Sequence, residues 1–359
     1  MAKFSEVLTI INGKNQSKVE NPYGKYPIYG SGGIMGYADD YICEPHTVII
    51  GRKGSINKPI FVETPFWNVD TAFGLSANKD VLLPKYLYYF CEHFDFEKLN
   101  TTVTIPSLTK ANLLNIEIEL PTIEQQREIV FQLDNVESIV SLRKQQLSKL
   151  DELVKSRFIE MFGDQETNPY NLNVGKLSDV ADIYLGLTHT PTYVEQGKPF
   201  LSVRDISSGV IDFSNCHYIT EDEFDSLPNG ARPQVGDMLF CRVGTIGKPV
   251  IIPENTPEFG TFVSVGYLRK KVNVNNYYLK SWMENDYFMR QVYDNVAGAS
   301  QINLNTGWLK NFRILIPSLE LQEQFATFVE QIDKSKLEIQ KSLEKLETLK
   351  KALMQKYFG

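Results

Sequence analysis

The sequence has little of what builds a catalytic or metal centre. Its four histidines, His46, His93, His189 and His217, are scattered without metal-ligand spacing, so no metal site is expected. Its four cysteines, Cys43, Cys91, Cys216 and Cys241, form no C-x-x-C pair. That excludes a zinc ribbon and a disulfide framework, and leaves reduced thiols in a cytoplasmic protein as the expectation. No run of about 18 apolar residues occurs, so no membrane span is expected. The opening stretch MAKFSEVLTIINGKNQ has no basic start before a long apolar core and does not read as a secretory signal. An excess of cations is missing too. Lysine and arginine number 37 against 44 acidic residues, a net charge of −7, which argues against a generic polyelectrolyte binder but leaves local positive fields possible. Residues 1–120 carry 11 basic and 13 acidic groups, and residues 164–316 carry 13 and 17, so neither part is cationic by itself.

Nucleotide and methyl-donor pockets also lack their signatures. No glycine-rich loop follows a strand and precedes an acidic residue. YGSGGIMGY (29–37) is glycine-rich but is not GxxxxGK[ST], and it reads as a tight loop through which backbone can approach something flat. NPYG (21–24) and NPYN (168–171) resemble the Asn-Pro-Pro-Tyr loop with which amino-methyltransferases hold a target base, but the second proline is absent. Asn-Pro reads here as a turn.

What is present is an internal repeat. KLETLKKALMQKYFG (345–359) and KLDELVKSRFIEMFG (149–163) are the same kind of helix closed by the same Phe-Gly, 196 positions apart. At that offset Pro121 matches Pro317, Gln126 matches Gln322, and Leu147, Leu150 and Leu153 match Leu343, Leu346 and Leu349. Leu108, Asn115 and Ile118 likewise match Leu304, Asn311 and Ile314. Further upstream GRKGSINKP (51–59) aligns with CRVGTIGKP (241–249) at an offset of 190, the change marking residues inserted in surface loops. The chain therefore divides into a globular part at 1–120, a long helix at 121–163, a second globular part at 164–316 and a second long helix at 317–359.

In the second helix Ile332, Ile339, Leu343, Leu346 and Leu353 are spaced as a heptad seam, and in the first Val136, Val140, Leu147, Leu150 and Val154 do the same, with Arg143 interrupting. Pro121, Thr122 and Gln125 spell a capping box, whereas Ser318 is followed by Leu321, which cannot complete one. Gly163 and Gly359 are natural helix ends. About 38 helical residues reach roughly 57 Å, and a helix that long with one apolar stripe needs a partner, the simplest being the other copy. The globular parts read as mixed. Residues 46–62 and 236–252 are strand, glycine turn, strand; residues 84–99 and 276–292 are amphipathic helices; residues 115–121 and 311–317 are short strands.

With no catalytic constellation, the informative residues are polar side chains in loops. Arg52, Lys53 and Lys58 recur as Arg242 and Lys248, residue types that hold phosphate or read guanine. Gln301, in GASQINL beside Ser300, can read adenine, and Thr101, Thr102 and Thr104 hold the equivalent place in the first half. Thr188, His189 and Thr190 lie in the polar loop GLTHTPTY, Arg204 in LSVRDISSG and Ser31 in the glycine-rich loop. Each of these is also compatible with an ordinary solvated side chain, and Gly54, Gly244, Pro59 and Pro249 with a purely structural hairpin.

Taken together, LPTIEQQREIV and IPSLELQEQ as helix starts, the closing Phe-Gly, and the blocks YPIYGSGGIMGY, VIIGRKGS, FWNVDTAFGL, IPSLTKANLLNIEIELP and GLTHTPTYVEQGKPFLSVRDISSGVIDF resemble the specificity subunit of type I restriction–modification systems over essentially the whole chain. The resemblance implies a mixed α+β fold with two target-recognition domains, separated by two long helices packed as an antiparallel coiled coil in a pseudo-two-fold repeat. Each half would read one part of a split, asymmetric site in double-stranded DNA. The helices, with Gln126, Leu147, Leu150, Gln322, Leu343 and Leu346 as docking candidates, would carry two methyltransferase subunits, and restriction or translocase subunits would bind that core. S-adenosylmethionine, ATP and magnesium would belong to those partners and no cofactor to this chain. Three alternatives stand beside this reading: a partner in which methyltransferase and nuclease are fused, a DNA methyltransferase or nuclease with a degenerate site, and a coiled-coil scaffold that binds protein only.

Overall fold

A computed structural model of the chain describes residues 1–99, 107–271, 273–296 and 302–359. It divides into two compact units, one made of residues 1–145 and 339–359, the other of residues 146–338.

Unit 1 is built on a four-stranded antiparallel sheet in the order Leu8–Asn12, Ala72–Ala77, Thr47–Gly51, Ile60–Val62. The strand Thr47–Gly51, β-branched up to its closing glycine, is buried throughout, as a central strand covered on both faces must be. A second sheet orders Gly33–Ala38, Tyr26–Gly30 and Trp67–Asn68, the last pairing in parallel. The helix Pro84–His93 lies in the core through Tyr86, Leu87 and Phe90. It is shorter than the periodicity predicts. After Phe94 and Asp95 the chain turns into a separate 3₁₀ turn, Phe96–Leu99, whose first N–H donates to Asn57 Oδ1 at 2.7 Å.

Unit 2 repeats this plan. Its four-stranded sheet runs Ala181–Leu185, Val265–Lys270, Met238–Cys241, Val250–Ile251, and its three-stranded sheet runs His217–Ile219, Lys198–Leu201, Gly260–Thr261, again with one parallel pair. The single helix predicted at 276–292 is two, Asn276–Met283 and Asp286–Asn295. The break is local capping chemistry: the Asn285 side chain accepts from Tyr287 N at 2.9 Å and starts a new helix. In each unit the entering strand pairs with the strand that leads to a long helix. Ala2–Lys3 pairs with Glu117–Ile118, and Asn173–Lys176 with Arg313–Ile316.

The long helices are Ile123–Phe162 and Leu319–Phe358, 40 residues each. The capping box forms, with Thr122 N donating to Gln125 Oε1 at 3.0 Å and Gln125 N to Thr122 Oγ1 at 3.2 Å; at Ser318 only one bond of the pair is made, from Leu321 N at 3.4 Å. Gly163 closes the first helix with φ +71°. Each unit contains part of both helices, and in each they run antiparallel. In unit 1 Gln132 meets Tyr357 and Glu137 meets Lys350; in unit 2 Asp151 meets Lys336 and Phe158 meets Phe325. Val136, Val154, Ile332 and Leu343 of the predicted seam are buried. Leu153 and Leu349, matched by the repeat but outside that seam, are 46% and 47% exposed.

Candidate nucleic-acid interface

In unit 1 the loops of interest meet at one end of the four-stranded sheet. Register pairs Gly51 with Ala72 and Asn12 with Phe73, so Gly13, Arg52 and Thr71 emerge side by side. Arg52 N donates to Thr71 O at 2.8 Å, and Leu108 N donates to Arg52 O at 2.9 Å. Lys53 forms a backbone bridge with Ser107, which ties the chain leaving residues 100–106 to the Arg52 loop. The turn bearing Ser31 lies against the same loop: a Cβ built on Gly51 would stand 3.0 Å from Ser31 Cβ.

Unit 2 reproduces the constellation. Arg242 N donates to Ser264 O at 3.0 Å and Leu304 N to Arg242 O at 2.9 Å, while Val243 bridges Asn303. Leu187 N donates to Thr261 O at 2.7 Å, and Val203 N to Ser264 Oγ at 3.3 Å, which brings the loops of Thr188–Thr190 and Arg204 to the same end. Two pairs of matched glycines make this end possible. A Cβ on Gly13 would lie 1.8 Å from Val69 O, and one on Gly186 2.3 Å from Phe262 O. Gly54 and Gly244, in the shared Arg-x-Gly-x-Ile stretch, take φ of +78° and +73° with open space around them, so conformation and not crowding demands glycine there. Those two glycines therefore belong to a structural hairpin.

The candidate side chains fall into distinct groups. Lys53, Lys58, Thr188, His189, Thr190 and Lys248 are exposed, and Ser31 is half-buried. Arg52 is exposed with its guanidinium 5.8 Å from the centre of the Phe73 ring. Arg242, its counterpart, is engaged internally. Its guanidinium donates to Leu304 O at 2.9 Å, Val263 O at 2.9 Å and Asn303 Oδ1 at 3.2 Å, which corrects the expectation of an equivalent free reader. Burial lowers its pKa somewhat. Arg204 is partly engaged, donating to Asn215 O at 2.8 Å and pairing with Asp205 at 3.2 Å, yet its side chain stays 59% exposed. Thr101, Thr102, Thr104, Ser300 and Gln301 lie outside the described residues.

Among the docking candidates, Gln126 and Gln322 need correction. Both are fully buried. Gln126 Oε1 accepts from Leu83 N at 2.8 Å, and its Nε2 donates to Val81 O at 2.9 Å and Pro121 O at 3.0 Å. Gln322 accepts from Asn275 N at 2.8 Å and donates to Pro317 O at 2.9 Å. Each amide rivets a globular part to the start of its long helix and is not available to a partner. Leu343 is also buried, while Leu147, Leu150 and Leu346 are half-buried along the helix pair.

Sequence reasoning passed over two features of this end. Tyr193 stacks on His217 with ring centres 4.2 Å apart and planes 17° apart, and burial, with the Asp205 charge second, pushes its hydroxyl pKa up. The equivalence of the two-residue Ser31–Gly32 turn and residues 202–216 was also hidden. Both follow a strand paired in parallel with Trp67–Asn68 or Gly260–Thr261, and both lead into its antiparallel neighbour. The matched loops share no residue pattern, so only the topology reveals it. NPYG and NPYN are turns: Tyr23 N donates to Asn21 Oδ1 at 3.0 Å, and Leu172 N to Asn168 Oδ1 at 2.8 Å. All four cysteines are buried free thiols. Among the described residues no group of three or more His, Cys, Asp or Glu could hold a metal ion, and no helix is long and apolar enough to cross a membrane.

Two similar mixed units, each with cations and hydroxyls gathered at one sheet end and each locked to a long helix, define a duplicated recognition architecture. The model of the family described as "Type I restriction modification DNA specificity domain" matches residues 1–152 and again residues 169–351, and the chain belongs to that family. It is 23% identical over 340 residues to the type I restriction enzyme MjaVIII specificity subunit of Methanocaldococcus jannaschii, covering 86% of this chain and 74% of that one. It is 21% identical over 375 residues to the type I restriction enzyme EcoBI specificity subunit of Escherichia coli, covering 93% and 77%. Its fold matches the crystal structure of the type I restriction–modification S subunit from M. genitalium with a TM-score of 0.62 at 16% identity, over 100% of this chain and 95% of that one.

Proposed function

We propose that the chain is the DNA-reading subunit of a type I restriction–modification complex and is not itself catalytic. Each unit reads one part of a split, asymmetric site, using the sheet end that carries Arg52, Lys53 and Ser31 in unit 1 and Thr188–Thr190, Arg204 and Lys248 in unit 2. The observation that carries this reading is the repetition of one backbone scaffold with different side chains on it: Arg52 and Arg242 hold the same main-chain bonds, while the Arg52 side chain is exposed and the Arg242 guanidinium is turned onto backbone carbonyls. A duplicated scaffold with divergent readers gives two unlike half-sites.

Two methyltransferase subunits dock on the long helices, and restriction or translocase subunits join that core. What supports equivalent docking is that Leu153 and Leu349, 196 positions apart, stay exposed to the same degree on helices whose other matched leucines are more covered. S-adenosylmethionine, ATP and magnesium act in those partners. The test is to incubate the isolated chain with labelled S-adenosylmethionine and duplex DNA, alone and with the modification subunit. Methyl transfer only in the complex is expected; transfer by the chain alone would make it an enzyme.

A further inference from the structure

We propose that unit 1 reads thymine through an apolar ribbon, the hairpin formed by Tyr26–Gly30 and Gly33–Ala38, with Ile34 and Met35 meeting the 5-methyl group in the major groove. This rests on the DNA-reading function proposed above and assigns a chemistry to one of its two readers.

The hairpin is an unusual surface. Ile34 is 55% exposed, Met35 64% and Tyr37 44%, and Tyr23, in the turn whose Asn21 N donates to Tyr37 O, is 96% exposed. Gly33–Ala38 is the outer strand of its sheet; residues 19–21 cover its C-terminal end, Glu20 bridging Ala38 and Asn21 N donating to Tyr37 O at 2.9 Å, while its start, where Ile34 and Met35 stand, has no such cover among the described residues. Here the edge keeps its apolar side chains. The pairing contains an irregularity: Ile28 faces Gly36 and Tyr29 faces Ile34, so Met35 is an extra residue without a partner. Such a bulge re-aims side chains, and neighbours that a regular strand would send to opposite faces, Ile34 and Met35, are both exposed.

Its position and surroundings select the occupant. The Ser31–Gly32 turn abuts the loop after Gly51, beside exposed Arg52 and Lys53. Exposed Lys14 follows at the same end, its N–H donating to Asn68 O at 2.8 Å. Apolar side chains framed by cations match a groove floor framed by phosphates. A two-stranded ribbon fits the major groove, where thymine presents a methyl group, and is too broad for the minor groove. In unit 2 the equivalent place is held by residues 202–216, which form no two-stranded ribbon and present Arg204 and the exposed Val210 in its stead, so the ribbon is a feature of unit 1 and its methyl dependence is assigned to the half-site that unit reads.

The experiment uses the full chain in complex with its modification subunits and duplexes carrying its recognition sequence, with each thymine of both half-sites replaced singly by deoxyuridine, which removes only the methyl. At one or two thymines of one half-site, affinity is expected to fall about three- to fivefold. The double variant Ile34→Ala, Met35→Ala should bind thymine and deoxyuridine duplexes equally at those positions, with an unchanged melting temperature. Sequence-specific binding with no deoxyuridine effect, or an effect that survives in the double variant, overturns the ribbon and leaves the DNA-reading function standing. Absence of any sequence preference overturns both.

Discussion

Phe358 lies against Tyr86 with ring centres 5.1 Å apart, and Phe162 lies against Tyr278 at 4.7 Å. Phe162 and Phe358 are repeat counterparts, and Tyr86 and Tyr278 each sit on the helix that follows a four-stranded sheet. The Phe-Gly written at positions 162–163 and 358–359 thus closes a core each time. The chain carries the same ending twice because each unit is completed by the C-terminal end of a long helix: unit 1 by residues 339–359, unit 2 by the end of the first helix.

Removing these rings should unfold the units unequally. Phe162 is fully buried among Phe158, Tyr278 and Phe325, and Phe162→Ala should cost about 3–5 kcal/mol. Phe358 is only partly buried, and Phe358→Ala should cost about 2–3 kcal/mol. Hydrogen exchange resolved along the chain checks this. Protection should fall first in unit 2 for the one and in unit 1 for the other; loss in the opposite unit would contradict it.

The buried glutamines make a second prediction. Gln126→Ala leaves Leu83 N without its acceptor and two carbonyls without their donor, and should destabilise by about 2–3 kcal/mol. Gln322→Ala should do the same beside Asn275. Denaturant titration measures it. A change under about 0.5 kcal/mol, the range of an ordinary surface substitution, would return both residues to the helix surface.

At the shared hairpin, Gly54→Ala and Gly244→Ala meet no neighbouring atom, so only the positive φ is penalised, at about 1–2 kcal/mol. Each should weaken reading of one half-site and spare the other. Selection of bound sequences from a random duplex pool would show which positions relax; relaxation of both half-sites by one substitution would contradict independent readers.

The function proposed above also predicts that the length of the long helices sets the gap between the two half-sites. Deleting seven residues from each keeps the heptad seam and removes about 10 Å of helix, roughly three base pairs of DNA. Methylation mapping of such a variant, cut within 136–160 and at the matching place of the second helix, should return the same half-sites with a shorter gap. Altered half-sites with an unchanged gap would contradict this.

Much of this was legible because it is local. The repeat, the capping box at Thr122, the glycine hairpins and the long amphipathic helices follow from spacing and turn chemistry alone. What stayed hidden is non-local. The parallel pairs that build the three-stranded sheets join strands far apart in sequence. Arg52 and Arg242 look alike until Asn303 and two carbonyls are seen around only one of them. Gln126 sits at a polar position of a helix start, and only its burial against residues 81–83 shows that it faces inward. The break at Asn285 was readable in principle, since asparagine before Asp286 is a helix-start signal, but the apolar periodicity on either side masks it.

The most direct test is co-expression of the chain with its modification subunit, followed by sequencing of the modified bases in the host DNA. Two short, different sequences at a fixed gap, with methylated adenine, are the expected result. A single continuous or palindromic sequence would contradict two unlike readers on one duplicated scaffold.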